Sequence, residues 1–371
     1  MTVARLITQN FRNLSPTAID FHPKLNFFIG DNGSGKSSLL EALFFLGHGK
    51  SFRTSKVDAL ACYEHNKFIV SVKDGKGIQL GLSRETPTGT TNIKIDGIRY
   101  GRLSELAKNI AIQIVTPESF KLFFGGPKER RRFTDLGMFH VKHGFSEQWR
   151  RFTKVLKQRN ACIRNGADAA TLAYWTEQFC QLSLIVAQER KVYVGQLIAE
   201  LNNWLSILLP SISEKVSVQY LQGWPQKKLL ADVLSTNYER EASFGYSIYG
   251  AHKFDVKFLL DKQGIETQLS RGQQKLFLLA LTFAQAKLIA QVNRVKPILL
   301  IDDIGAELDL KSRKALSSAI EVLDCQVIIT AIENSVIYPF VEQVCSEQYE
   351  VFHVKHGEIL PTKLYPDASD I

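Results

Sequence analysis

The chain is poor in cysteine: five in 371 residues, at Cys62, Cys162, Cys180, Cys325 and Cys345, all far apart. That scatter excludes a disulfide framework and the paired spacing of a zinc site, and it suits a reducing interior. Long apolar runs are missing too. The greasiest stretch, 276–292, is broken by Gln285 and Lys287, so no segment reads as a membrane span. The first eleven residues carry Arg5 and Gln9 among their apolar neighbours and lack a leader's uninterrupted core. Internal repeats and low-complexity tracts are also absent. These absences predict a cytoplasmic protein without a membrane partner.

The remaining composition is ordinary. Hydrophobic residues at 45% and charged residues at 22% suit a globular chain with a large core, built as two domains or one domain with an insertion. The formal net charge of +9 favours a polyanionic partner. Charge alone decides little, because many basic proteins bind nothing acidic.

The most informative stretch is Gly30-Asp31-Asn32-Gly33-Ser34-Gly35-Lys36-Ser37. It follows the apolar run Leu25 to Ile29 and opens an apolar-periodic segment from Ser38 to Leu46. Buried strand, glycine-rich turn and helix in that order form the setting of a phosphate-binding loop. The glycines let successive N–H groups face β- and γ-phosphates, and the positive end of the helix adds to that field. Lys36 would bridge the terminal phosphates, and the Ser37 hydroxyl would ligate Mg²⁺. The pattern predicts a bound nucleoside triphosphate.

Such a loop needs a metal-positioning acid on a neighbouring strand. Ile298-Leu299-Leu300-Ile301-Asp302-Asp303 supplies one, with four apolar residues of a buried parallel strand ending in two carboxylates. Asp302 would hold Mg²⁺, and Asp303 would orient the attacking water.

Between these halves the periodicity changes. Short strands are predicted at 3–7, 17–21 and 25–29, and antiparallel ones at 67–72, 78–83 and 91–95. From Gly125-Gly126-Pro127 to about residue 240 the pattern is helical. It includes a basic helix over 146–164, carrying Arg150, Arg151, Lys154, Lys157, Arg159 and Arg164, and a very long one over 171–209. Strands return at 256–260, 297–301 and 326–330, with helices at 272–292 and 311–323. The expected fold is α/β. An ATPase domain of residues 1–132 and 241–371 combines a mixed sheet around the phosphate loop with antiparallel strands, and an α-helical insertion domain spans 133–240.

Leu269-Ser270-Arg271-Gly272-Gln273-Gln274-Lys275 opens the helix 272–292. Ser270 stands where an N-cap belongs, leaving free N–H groups for an anion. This stretch resembles the signature motif of the ABC ATPase superfamily. There the motif, through Ser270, Gly272 and Gln273 in this chain, covers nucleotide held by a second protomer. Gly305-Ala306-Glu307-Leu308-Asp309 looks like the D-loop of that superfamily. Asn10-Phe11-Arg12-Asn13 resembles a block of the recombination and chromosome-maintenance ATPases, in which Arg12 would contact nucleotide phosphate. Thr116-Pro117-Glu118, the block from Gly125 to Phe133, and Tyr249 to Asp255 resemble the RecF family of bacterial DNA replication and repair proteins, with Ala251 where proline is common.

The resemblance implies an ABC/SMC-type ATPase head that binds ATP and Mg²⁺ and forms an ATP-dependent homodimer. It implies weak, DNA-dependent hydrolysis and binding to duplex DNA and to single-/double-strand gap junctions through backbone contacts. It also implies partnership with RecR and RecO in loading recombinase, a nucleoid location, and service to replication restart and the SOS response. Asp303 replaces the usual glutamate, and its shorter reach is consistent with slow turnover. Thr330 stands where many relatives carry a phosphate-sensing histidine. The clustered Lys128, Arg130, Arg131 and Arg132 are a candidate DNA surface, as is the basic helix. The competing expectation is the ATPase subunit of an ABC transporter, which shares the loop, signature and acid strand. The helical insertion and basic balance stand against it. A small-molecule phosphotransferase lacks an acceptor site here, and a nuclease of the OLD type lacks room after Asp303.

Overall fold

The structure, a computed structural model, describes residues 2–119, 126–292, 295–305, 308–342 and 348–363. Gly125, Ala306, Glu307 and Cys345, named above, lie outside the described residues. In chain order the first elements are β1 (Val3–Gln9), β2 (Thr17–Asp20), β3 (Leu25–Ile29), α1 (Lys36–His48), β4 (Lys67–Asp74), β5 (Gln79–Glu85), β6 (Thr90–Ile95), β7 (Ile98–Tyr100), α2 (Leu103–Asn109) and β8 (Ala111–Val115). Next come α3 (Pro127–Val141), α4 (Phe145–Asn165), α5 (Ala169–Leu208), β9 (Val216–Leu221), α6 (Leu230–Thr236), α7 (Tyr238–Phe244), β10 (Asp255–Leu260) and β11 (Gln263–Gly264). The chain closes with α8 (Arg271–Gln291), β12 (Pro297–Ile301), α9 (Leu310–Val322), β13 (Gln326–Ala331), α10 (Tyr338–Val341), β14 (Tyr349–Lys355) and β15 (Glu358–Thr362).

Two compact units result. The first comprises Met1–Ser119, Ile207–Leu209 and Ser270–Ile371; the second comprises Phe120–Ser206 and Pro210–Leu269. The sequence-based divisions at 132/133 and 240/241 fall inside the second unit. There α3 packs on β10, and the bidentate pair Arg130–Asp255, at 2.8 Å for both contacts, joins those segments. A single sequence shows no such pairing across 125 residues.

The first unit holds two six-stranded sheets. One, β2-β1-β4-β5-β6-β7, is antiparallel throughout, as the alternating apolar pattern of β4 to β6 predicts. The other, β15-β14-β3-β13-β12-β8, is parallel from β14 to β8 with one antiparallel edge strand. Strands β3, β12 and β13 are buried at every position, the signature of strands covered on both faces. Helix α1 buries Leu39, Leu40, Leu43 and Leu46 in a core shared with Leu6 of β1 and Val70 of β4. At roughly 1.5–3 kcal/mol for each large side chain removed from water, this core dominates the unit's stability.

Helix α5 runs for 40 residues, about 60 Å at 1.5 Å per residue, and all but its last two residues belong to the second unit. Helix α4 ends at Gly166, whose left-handed φ of 63° closes the last turn. Two buried arginines organise the interior. Arg159 donates to Glu241 at 2.7 Å and to Ser247 at 2.5 Å. Arg190 pairs with Asp135 and lies 3.8 Å from the centre of the Phe254 ring. The antiparallel sheet β11-β10-β9 completes the unit; β9 lies in a region whose sequence reads as helical.

Two buried histidines make this unit sensitive to acid. Burial holds the imidazoles of His140 and His252 down to about 4. Once unfolded they titrate near an ordinary value of about 6.5. Below that pH the unfolded chain takes up protons that the folded chain refuses, so stability falls as pH drops from about 6.5 towards about 4. From pH 7 to pH 5 the expected loss is about 2 kcal/mol per histidine. Urea unfolding at the two pH values checks it: His140→Gln should lose less stability on acidification than the parent, and an unchanged pH slope refutes the assignment.

Candidate nucleotide-binding site

The site lies wholly within the first unit, at the carboxyl ends of parallel strands, where open α/β sheets bind ligands. Strand β3 delivers Gly30, and α1 starts at Lys36 with Gly35 as an N-cap that offers no side-chain oxygen. The first N–H groups of α1 are left for an anion. Gly35 adopts a φ of 122°, a conformation that any side chain would strain. Gly30 is required for a different reason: a Cβ there would stand 2.1 Å from the Val354 carbonyl oxygen. The tip of the β14–β15 hairpin braces the loop from behind, with the Gly357 N–H donating to Ser34 O at 2.7 Å.

Lys36 is nearly buried and curls over its own loop, donating to Gly30 O at 2.5 Å and Asp31 O at 2.8 Å. Burial lowers its pKa, while Asp302, Asp303 and Asp31 act in the opposite sense. The Ser37 hydroxyl lies 3.1 and 3.2 Å from the two carboxylate oxygens of Asp302. The cavity in front of them, about 720 Å³, is lined by Asn32, Gly33, Gly35, Lys36, Ser37 and both aspartates, among others. That volume suits a cofactor-sized ligand.

The acid pair is held by partners that the sequence did not single out for this role. Thr330, fully buried within β13, donates its hydroxyl to Asp302 Oδ1 at 2.7 Å and accepts from the Asp303 N–H at 2.9 Å. It stands inside the strand, as the predicted span 326–330 has it, and its hydroxyl joins the two acids. Lys275 of α8, also buried, donates to the Asp303 carbonyl at 2.7 Å. Asp303 itself has a φ of 50°, sparsely populated for a residue with a side chain, and these two bonds hold it there. Thr330→Val removes both hydroxyl bonds while keeping shape. It should cost roughly 1–3 kcal/mol of stability by leaving buried polar groups unpaired and should lower turnover, whereas Thr330→Ser should restore both. Chemical unfolding alongside a hydrolysis assay reads the two effects; equal behaviour of the valine and serine variants would exclude this bracing role.

Arg12 reaches the cavity wall, but its guanidinium is already engaged. Nε and Nη2 donate to Glu41 at 2.9 Å each, and Nη1 donates to Ala59 O at 3.0 Å. Glu41 is completely buried in α1, and Ser51 and Arg53 also contact it. Asn13 ties Gly33 O to the Ser38 hydroxyl.

Ser270, Gly272 and Gln273 do not line the cavity. Ser270 caps α8 as expected and forms a reciprocal capping box: its hydroxyl accepts from the Gln273 N–H, and its own N–H donates to the Gln273 side chain. Asp309 caps α9 through the Ser312 N–H, and hydrogen bonding from the Ser312 side chain, then its backbone, lowers the pKa of the carboxyl. Of the basic cluster in α3, Arg130 is spent on Asp255, Arg131 donates to Phe254 O, and Arg132 lies 3.9 Å from Glu129. His252 is structural, with Nε2 2.9 Å from Ser247 O.

The donor set fits a triphosphate with Mg²⁺. One hydroxyl and one carboxylate converge at the loop mouth, and Mg²⁺ characteristically takes few protein ligands, completing its shell with phosphates and water. The buried Ser34 hydroxyl has no hydrogen-bond partner among the described residues, an open polar valence inside the loop. Among the described residues no cluster of three or more histidine, cysteine or acidic side chains could hold a metal by itself.

A family model described as "RecF/RecN/SMC N terminal domain" matches residues 2–359. The chain is 71% identical over 369 residues to the DNA replication and repair protein RecF of Colwellia psychrerythraea strain 34H, covering 97% of this chain and 98% of that one. It is 36% identical over 365 residues to the protein of the same name from Pseudoalteromonas translucida, covering 97% and 100%. Among solved structures it resembles the recombination mediator protein RecF-ATP of the RecFOR pathway, with a TM-score of 0.82 at 22% identity and 98% of each chain covered. An Smc head bound to the C-terminal winged-helix domain of ScpA gives 0.56 at 14% identity, with 100% of this chain and 99% of that one covered. The fold is thus the mixed α/β ATPase head of those proteins, and with a family model spanning nearly its whole length and full-length relatives this similar, the chain belongs to the RecF family.

Proposed function

We propose that the chain is an ATP-dependent DNA-binding protein of recombinational repair and replication restart, and a weak DNA-dependent ATPase. One observation carries this reading furthest: Lys36, Ser37, Asp302 and Asp303 converge on one cavity, while Ser270 lies outside it. A site that gathers the phosphate loop and acids but not its signature serine is one that a second protomer completes. The transporter reading lacks such support, because the full-length relatives are replication and repair proteins.

In this mechanism Lys36 leaves its loop carbonyls for the terminal phosphates, and the free N–H groups at the start of α1 hold the others. Ser37 and Asp302 would hold Mg²⁺, which would supply positive charge against the phosphates. Asp303 orients the attacking water. Thr330 and Lys275 keep that carboxylate and its neighbour in place. Ser270, Gly272 and Gln273 of a second copy close over the γ-phosphate, producing an ATP-dependent homodimer. The closed dimer holds duplex DNA and gap junctions through backbone contacts, and hydrolysis releases it. RecR, with RecO, is the proposed mediator partner.

Sedimentation of the protein with and without ATP, each with and without a gapped duplex, tests this reading. The expected result is a monomer that becomes a dimer with ATP and co-sediments with DNA only then. A protein that stays monomeric with ATP, or ignores DNA at moderate salt, overturns it.

A further inference from the structure

The second unit carries an exposed aromatic pair at Phe244 and Tyr246. The rings of Phe244 and Tyr246 stack with centroids 5.7 Å apart and planes 26° apart, yet they remain 50% and 43% exposed. Burial does not explain such a pair, since large apolar side chains left in water gain nothing from it. Cations surround it. The Arg240 guanidinium stands 5.8 Å from the centre of the Phe244 ring, and the Lys253 ammonium 5.3 Å from that of Tyr246. Gly245, between the two rings, is covered by the aliphatic stem of Arg164.

Arg164 is also the end of a track. Arg150, Lys154, Lys157 and Arg164 are exposed on α4, and their spacing of four, three and seven residues puts them on one helix face. The line runs about 21 Å at 1.5 Å per residue. None of the four forms an ion pair with any of the described residues, whereas Arg159 and Arg151 of the same helix are both paired. The pair is fixed rigidly to the end of this track. Ser247 donates its N–H and hydroxyl to Asn160 of α4 at 2.8 and 2.7 Å, and Arg159 donates to Ser247 and Glu241.

We propose that Phe244 and Tyr246 form a stacking platform for unpaired bases of single-stranded DNA, whose backbone runs along the cationic face of α4. The reading rests on the DNA-binding function proposed above and assigns its single-stranded arm to a surface. Base faces stack on aromatic rings with little regard to sequence, and a neighbouring line of cations follows the phosphates. Arg240 sits loosely, at 5.8 Å against 3.8 Å for the tightly stacked Arg190 over Phe254. It can swing to a phosphate and leave its ring face to a base. A duplex keeps its bases stacked inside and offers the platform nothing, so the pair discriminates unpaired from paired strands.

The test compares binding of a short oligothymidylate and of a blunt duplex by the full chain and two double variants. Phe244→Leu with Tyr246→Leu keeps apolar bulk but removes the π faces. It should weaken oligothymidylate binding about tenfold or more, leave duplex binding within about twofold, and leave ATP binding and melting unchanged. Lys154→Gln with Lys157→Gln should flatten the salt dependence for oligothymidylate by about 1.4 in log–log slope. As a readout that retains the ring, Tyr246→Trp should show extra fluorescence, relative to the parent, that oligothymidylate quenches. Unchanged oligothymidylate binding in the leucine variant, equal losses on duplex, or an unquenched tryptophan overturns the platform. A parent protein that binds duplex but not oligothymidylate also overturns the platform alone. One that binds neither removes the DNA-binding function and the platform with it.

Discussion

Lys36→Met should abolish ATP binding while leaving the chain folded. The lysine is 7% exposed, and methionine is close enough in length and volume to fill the space of its stem. What methionine loses is the ammonium. Its two charge-assisted bonds to Gly30 O and Asp31 O are worth about 1.5–3 kcal/mol each, but methionine is also spared the cost of burying the ammonium, so the free protein stays folded. Three aspartates face this group, and burial alone works against its charge; without it they would confront a triphosphate unopposed. A lost charge-assisted contact to phosphate is worth about 3 kcal/mol, and repulsion from the aspartates adds to that. The dissociation constant should rise at least about a hundredfold. Calorimetric titration with ATP reads this directly, and near-parental affinity would dismiss the phosphate-loop assignment. ATP-dependent dimerisation should vanish with binding.

Local chemistry made half of this site legible in the sequence. Strand β3, the glycine turn and α1 announce themselves by an apolar run, by residues suited to unusual φ and by helical spacing; β12 and its two aspartates do so by a run that stops at charge. Each signal sits within about ten residues. The supports were not legible because each depends on a partner far along the chain. Nothing near Gly357 says that its N–H will reach Ser34 O, or that Val354 O will crowd Gly30. Thr330 falls within a predicted strand, but nothing near it says that its hydroxyl will join Asp302 to the Asp303 N–H. Glu41 reads as one polar position on an apolar helix, yet it is the buried charge that engages Arg12. The cluster at 128–132 reads as one positive patch until Asp255 and the Phe254 carbonyl absorb two of its members. The aromatic pair at 244 and 246 is not legible for a different reason: two rings so close in a helical region read as core, and only the fold leaves them exposed.

The second large effect concerns Ser270. Its hydroxyl and N–H are both used in the capping box with Gln273, and it lies away from the cavity wall. A change there should leave the first nucleotide contacts untouched. Ser270→Arg should bind ATP like the parent, because Lys36, Ser37 and Asp302 are intact, yet fail to dimerise or hydrolyse, because a bulky cation replaces the cap at the surface a second copy must meet. Mixing distinguishes this from simple damage. In a heterodimer of Lys36→Met and Ser270→Arg chains, one composite site carries both defects and the other carries neither. If the site is shared between protomers, two inactive proteins mixed in equal amounts should recover turnover, up to about half the parental value, since neither variant dimerises with itself and every mixed dimer has one sound site of two. If Ser270 serves its own chain's nucleotide, every site in the mixture is defective and nothing is recovered. The assay needs no structure of the dimer, and its two outcomes do not overlap. Recovery would also show that hydrolysis at one site proceeds with the opposite site disabled, which separates a dimer of two independent sites from one in which both must close together.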